Sequence, residues 1–137
     1  MAASRDMLDT IKGCRSVRKY TDRQISREDL NRIIEAGIYS ANAGGAQRSM
    51  VVALHDAEKV GKLNMARFDR DNLLGTHVSK EQPSVIDDPT IKNGFYGAPS
   101  AVCVFCQEHF AFSVADAFII AQAMALEAHS IGISSCI

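Results

Sequence analysis

The stretch Cys14-Arg15-Ser16-Val17-Arg18-Lys19-Tyr20 sets two guanidinium groups on either side of a hydroxyl within one short, strongly basic turn. Guanidinium forks match phosphate oxygens through charge-assisted hydrogen bonds, so Arg15, Ser16 and Arg18 are candidates to hold a phosphate. The competing reading is a solvated basic loop. A second cluster, Asn42-Ala43-Gly44-Gly45-Ala46-Gln47, suits a flat ring. Gly44 and Gly45 carry no side chain, so backbone there can approach a ring closely. Asn42 and Gln47 offer amide donors and acceptors for a polar ring edge. The competing reading is a plain helix-to-strand turn.

Other chemistries find no support in the residue pattern. No Ser-His-Asp arrangement or carboxylate pair stands out, and His55, His77, His109 and His129 are scattered without metal-ligand spacing. There is no Gly-x-Gly-x-x-Gly after a first strand and no Walker-type loop. An enzyme built from these residues would have to borrow its chemistry from a cofactor. Cys103-x-x-Cys106 lies in a strand-like apolar run, where alternation puts residues three apart on opposite faces and argues against chelation or a local disulfide. The four cysteines lack the density and spacing of a secreted disulfide framework. Cys14 and Cys136 are the thiols to consider for a redox role.

The elements that must position these groups are readable from periodicity. Met7, Leu8 and Ile11 share one face of a short amphipathic helix over 5–12, with Gly13 as its stop. Ser26-Arg27-Glu28-Asp29 resembles a capping box ahead of a helix running to about residue 40, with Leu30, Ile33, Ile34, Gly37 and Ile38 at helical spacing. Residues 50–54 read as a strand apolar on both faces, hence central. Asp56 caps a third helix through 68, with Val60, Leu63 and Phe68 inward. Residues 69–93, with weak periodicity and two prolines, read as a lid or binding loop. Residues 99–106 form a second strand. Ser113-Val114-Ala115-Asp116 repeats the capping pattern and opens the longest helix, through 131. That helix is apolar on nearly every side and belongs in the centre or against another subunit. Gly132 ends it, and residues 133–137 begin a further element that suggests a chain cut short relative to its fold.

The 137 residues suffice for one domain with a real core, and 47% hydrophobic and 23% charged residues are ordinary for a soluble protein. A net charge of −1 gives no reason to expect nucleic acid or an anionic membrane as partner. The N-terminus turns charged at once, and the longest apolar run, 114–126, is interrupted by Asp116 and Gln122. Neither a signal peptide nor a membrane span is indicated, and the expected compartment is the cytoplasm.

Four motifs in order carry a resemblance over essentially the whole chain. Ile11-Lys12-Gly13-Cys14-Arg15-Ser16-Val17-Arg18-Lys19-Tyr20 resembles the N-terminal signature of the nitroreductase family of FMN-dependent oxidoreductases. Ser40-Ala41-Asn42-Ala43-Gly44-Gly45-Ala46-Gln47 is similar to its second motif, usually Ala-Pro-Ser-x-x-Asn-x-Gln. Phe95-Tyr96-Gly97-Ala98-Pro99 resembles its third. Asp116 to Gln122 with Met124, and then His129-Ser130-Ile131-Gly132-Ile133-Ser134-Ser135-Cys136, resemble its core helix and the turn after it. The resemblance implies a single α+β domain over 1–137 with three layers, a mainly antiparallel central sheet flanked by helices, and a homodimer.

By the same resemblance, Arg15, Ser16 and Arg18 hold the FMN phosphate, ribityl chain and pyrimidine edge. Asn42, Ala43, Gly44, Gly45 and Gln47 reach the flavin from the partner subunit. Ser134 and Ser135 start the segment beside the isoalloxazine. Electrons pass from NAD(P)H through FMN to a nitro compound, quinone or similar small-molecule acceptor in a ping-pong cycle. The chain departs from the family pattern at Cys14, where many relatives have a second Arg, and at Ala41, Asn42 and Gly45, which replace Pro, Ser and Asn. Relatives also continue beyond 137 with further cofactor and dimer contacts. The alternative expectation is therefore a non-catalytic dimer that keeps the fold without stable flavin binding.

Overall fold

A computed structural model describes residues 6–63 and 95–137. Within them the order is α1 (Met7–Gly13), α2 (Arg27–Ile38), a short 3-10 turn (Ala43–Gly45), β1 (Ser49–Leu54), α3 (Ala57–Lys62), β2 (Ala101–Cys106) and α4 (Ser113–Ser130). The third helix, expected through 68, ends at Lys62, where Leu63 leaves helical geometry as its C-cap. The lid expectation over 69–93, and Phe68, lie outside the described residues.

β1 and β2 pair antiparallel, with Val51 opposite Val104, Met50 opposite Phe105 and Val52 opposite Cys103. Period-two alternation turns Val51, Val102 and Val104 toward the helices and leaves Met50, Val52 and Phe105 exposed. The expectation that β1 is central and buried on both faces is thereby corrected. Among the described residues β1 pairs only with β2, and its outer face is uncovered. Cys103 and Cys106 do lie on opposite faces of β2, and the Cys106 thiol sits 3.2 Å from Ser49 Oγ.

α4 is the hub, since α1, α2, β1 and β2 all pack on it. Its buried residues Ile120, Met124 and Ala128 join Ile33 of α2, and the inner strand residues close over them. α2 meets α4 closely because Gly37 carries no side chain. A Cβ there would lie 2.7 Å from Met124 Cγ and 3.2 Å from Ile120 Cγ2. Gly37→Val, which overpacks this contact, is expected to lower stability by about 2 kcal/mol, measured by urea denaturation. An unchanged midpoint would show that α2 and α4 separate at no cost.

The two capping patterns behave differently. Ser26 caps α2 as expected: its Oγ accepts from Asp29 N at 3.0 Å and donates to Asp29 Oδ2 at 2.7 Å. Asp56 caps α3 by accepting from Glu58 N and Lys59 N. At α4 the expectation fails. Ser113 lies inside the helix and donates to Gln107 O at 2.6 Å, while Phe112 occupies the N-cap position with no side-chain bond. α1 also departs from its helical wheel, since Thr10 is the buried residue (4% exposed) and Met7, Leu8 and Ile11 are exposed. α1 therefore rests on α4 through its polar edge and presents its apolar face outward. No helix among the described residues is long and apolar enough to cross a membrane.

Candidate cofactor site

The C-terminal end of α4 positions the first half of the site. Gly132 adopts a left-handed φ of 85°, and two bonds close a Schellman cap around it: Ile133 N donates to Ala128 O at 2.8 Å and Gly132 N to His129 O at 3.1 Å. The cap reverses the chain, so residues 133–137 run back beside the basic turn. Ser16 and Ser135 form a parallel bridge, and Val17 N donates to Ser135 O at 2.9 Å. The structure thus brings Arg15, Ser16 and Arg18 together with Ser134 and Ser135, which are distant in sequence.

Arg15, Ser16, Arg18 and Ser134 are exposed, and Ser135 is half-buried. Arg15 Nη1 donates to Cys14 O at 2.6 Å. The Arg18 guanidinium lies 6.0 Å from the centre of the Tyr96 ring. Tyr96 has a left-handed φ of 53°, a conformation that non-glycine residues rarely adopt and that often marks a functional site. A cavity of about 1030 Å³ opens beside this turn, lined by Arg18, Tyr20, Tyr96 and Ser134 over an apolar floor that includes Val102 and Met124.

Burial pushes the Tyr20 phenol up to about 12 from its ordinary 10, with Cys136 and Tyr96 acting in the same direction and Arg18 against it. A folded value above the unfolded one means that the neutral phenol stabilises the fold fully below pH 10, and that this contribution is lost as pH rises through 12. Wild-type stability is expected to fall more steeply than that of Tyr20→Phe across this window, as read by denaturation at several alkaline pH values. Parallel curves would mean that Tyr20 titrates as it does in the unfolded chain.

The second half of the site lies elsewhere. Ala43 N donates at 2.9 Å to Oδ1 of Asp116, in the first turn of α4. The bridge to Ser135 forms beyond the other end of the same helix. The 18 residues of α4 span about 27 Å along its axis at ~1.5 Å per residue, and the basic turn packs on its second half, where Cys14 Sγ lies 3.7 Å from Ala125 O. Asn42, Ala43, Gly44, Gly45 and Gln47 are therefore not brought to Arg15, Ser16 and Arg18 within one chain. In the 42–47 loop, Gly44, Gly45 and Gln47 have φ of 64°, 63° and 47°. A Cβ at Gly44 or Gly45 would meet nothing within 4 Å, so conformation and not packing calls for glycine, and bare backbone faces open space. Asn42 Oδ1 accepts from Gln47 N at 2.9 Å, so its amide nitrogen is the group left to read a ligand.

Sequence reasoning gave no role to Tyr20 or Tyr96 and read Asp116 as a cap. Tyr96 fell within the third motif, but its left-handed backbone is visible only in three dimensions.

The fold is an α+β module with a basic turn docked beside the segment that follows its central helix. The chain belongs to the nitroreductase family, whose model matches residues 11–137. It is similar to a nitroreductase with bound FMN from Bacteroides fragilis, at 30% identity and a TM-score of 0.75, covering 96% of this chain and 68% of that one. A nitroreductase with bound FMN from Desulfitobacterium hafniense superposes with a TM-score of 0.74 at 24% identity, covering 93% and 66%. A 52-residue segment is 38% identical to an Archaeoglobus fulgidus protein named "Putative NADH dehydrogenase/NAD(P)H nitroreductase". That segment is 38% of this chain and spans only 30% of the relative's length.

Proposed function

We propose that residues 1–137 form one FMN-binding unit of a homodimeric NAD(P)H oxidoreductase. The observation that carries this reading is the Ser16–Ser135 bridge, which docks the Arg15/Arg18 turn on the segment following Gly132. The donors present fit FMN. Two guanidinium groups and the hydroxyls of Ser16 and Ser134 suit a phosphate and a polyol, and the adjoining cavity is roomy by the standard of cofactor pockets, typically about 300–1000 Å³. Bound FMN supplies two-electron transfer from NAD(P)H to a nitro compound, quinone or similar small acceptor, in the two half-reactions of a ping-pong cycle.

The chain's own residues bind and orient. Arg15 and Arg18 neutralise phosphate charge, and Tyr96 fixes the plane of the Arg18 guanidinium. Ser134 and Ser135 offer hydrogen bonds along the ring edge. Asn42, Gly44, Gly45 and Gln47 reach the same ring from a second copy, since one chain holds them at the opposite end of α4. Exposed apolar residues favour that second copy: Tyr39 (83%) at the C-cap of α2, and Val114 (71%) and Phe118 (61%) on α4. A cytoplasmic setting, where NAD(P)H is available, suits this chemistry.

The test is a visible absorption spectrum of the purified protein before and after FMN addition and desalting. Retained oxidised-flavin bands are expected, followed by NAD(P)H oxidation with a nitroaromatic acceptor. Protein that stays colourless after reconstitution would refute flavin binding by this chain.

A further inference from the structure

The 42–47 loop has three left-handed residues in a run of four; Gly44 and Gly45 adopt that conformation freely, but the non-glycine Gln47 does so at a cost. Such a segment keeps one conformation only if its surroundings impose it. Most of its hydrogen bonds are internal: Gly45 N to Asn42 O, Ala46 N to Ala43 O, and Gln47 N to Asn42 Oδ1. These close the loop on itself but do not fix it to the body of the protein. Among the described residues, the hydrogen bond that ties it to another element is Ala43 N to Asp116 Oδ1, at 2.9 Å.

Asp116 is built for that task. It is 3% exposed, and one turn further on α4 is locked into the core by Ile120. The first turn of a helix is the favourable end for a carboxylate, and a hydrogen bond to a carboxylate is stronger than a neutral one. The usual use of such a side chain is to help cap its own helix. Here α4 begins without a side-chain cap, and the Asp116 carboxylate accepts from the loop instead.

We infer that Asp116 is a positioning residue. It never touches the cofactor, but it fixes where Ala43, Gly44, Gly45 and Gln47 present themselves to FMN, and so sets the affinity of the site. This rests on the reading of the 42–47 loop as a flavin-binding segment.

The experiment compares wild type with Asp116→Ala and Asp116→Asn. One readout is FMN affinity, from quenching of flavin fluorescence. The other is amide hydrogen exchange, resolved over 43–47 and over β1 and β2. Asp116→Ala is expected to speed exchange in 43–47 about tenfold with the strands unchanged, and to weaken FMN binding about tenfold. Asp116→Asn, whose amide oxygen still accepts from Ala43 N, is expected to stay within about threefold of wild type on both readouts. If Asp116→Ala does not fold, Asp116→Ser, too short to reach Ala43 N, carries the same expectation. FMN affinity and loop exchange both unchanged in Asp116→Ala would overturn the inference while leaving the flavin reading intact. Asp116→Asn as damaged as Asp116→Ala would overturn it too, since loss of the acceptor would not be the cause. Wild-type protein that binds no FMN would overturn the flavin reading itself, and this inference with it.

Discussion

Replacing Arg15 and Arg18 together by alanine is expected to weaken FMN binding about a hundredfold, and each single replacement about tenfold. A hydrogen bond to a charged group contributes roughly 1.5–3 kcal/mol when desolvated. Both side chains are exposed, so water and salt screen them, and the lower end of that range applies. About 1.4 kcal/mol corresponds to tenfold in affinity. The losses should be close to additive if the two guanidiniums grip different phosphate oxygens. Fluorescence-quenching titrations at two ionic strengths read the effect, and the wild-type affinity should fall with added salt more steeply than that of the double variant. Riboflavin, which has no phosphate, provides an internal standard: wild type should bind it about as weakly as the double variant binds FMN. A double variant with wild-type affinity for FMN would return the basic turn to the status of a solvated loop. Arg18→Lys separates charge from shape. It keeps the positive charge but loses the planar fork, and so should recover only part of the loss.

Two inactive variants are expected to restore activity when mixed. The first is Arg15→Ala/Arg18→Ala, defective in the basic turn. The second is Asn42→Ala/Gln47→Ala, defective in the loop. The turn docks on Ser135 past the end of α4, and the loop hangs from Asp116 at its start. In the proposed homodimer a complete site takes the turn from one copy and the loop from another. Random exchange makes half of the dimers mixed, and each mixed dimer holds one intact site and one doubly damaged site. Activity should recover to about a quarter of the wild-type level after co-refolding. Sites complete within a single chain would give no recovery at all. Absence of recovery, with mixed dimers demonstrated by mass, would exclude the shared site.

Much of this architecture was legible locally. Ser26 caps α2 because its hydroxyl and the Asp29 amide are near neighbours in any chain that enters a helix there. Gly132 ends α4 because a left-handed residue after a helix is strained for any side chain, and glycine has none. The basic turn was picked out by residue type alone, and the structure sets it beside Ser135. The same reasoning misjudged Ser113 and Asp116, which spell nearly the same local pattern as Ser26 and Asp29. Neither caps α4, because Gln107 O and Ala43 N compete for them from other elements. It also misjudged β1, where apolar residues on both faces implied double burial. The register with β2 turns Met50 and Val52 outward, away from the helices.

The sequence by itself determined the main elements, the cap of α2 and the stop of α4, because each depends on backbone preferences and hydrogen bonds within a few residues. Only the tertiary structure decided that Ser16 meets Ser135, that Asp116 holds Ala43, and that the 42–47 loop hangs from the opposite end of α4. Those facts depend on how α2 and the strands pack on a single rigid helix. Its length fixes the distance between the two half-sites, and no short window of residues contains that distance.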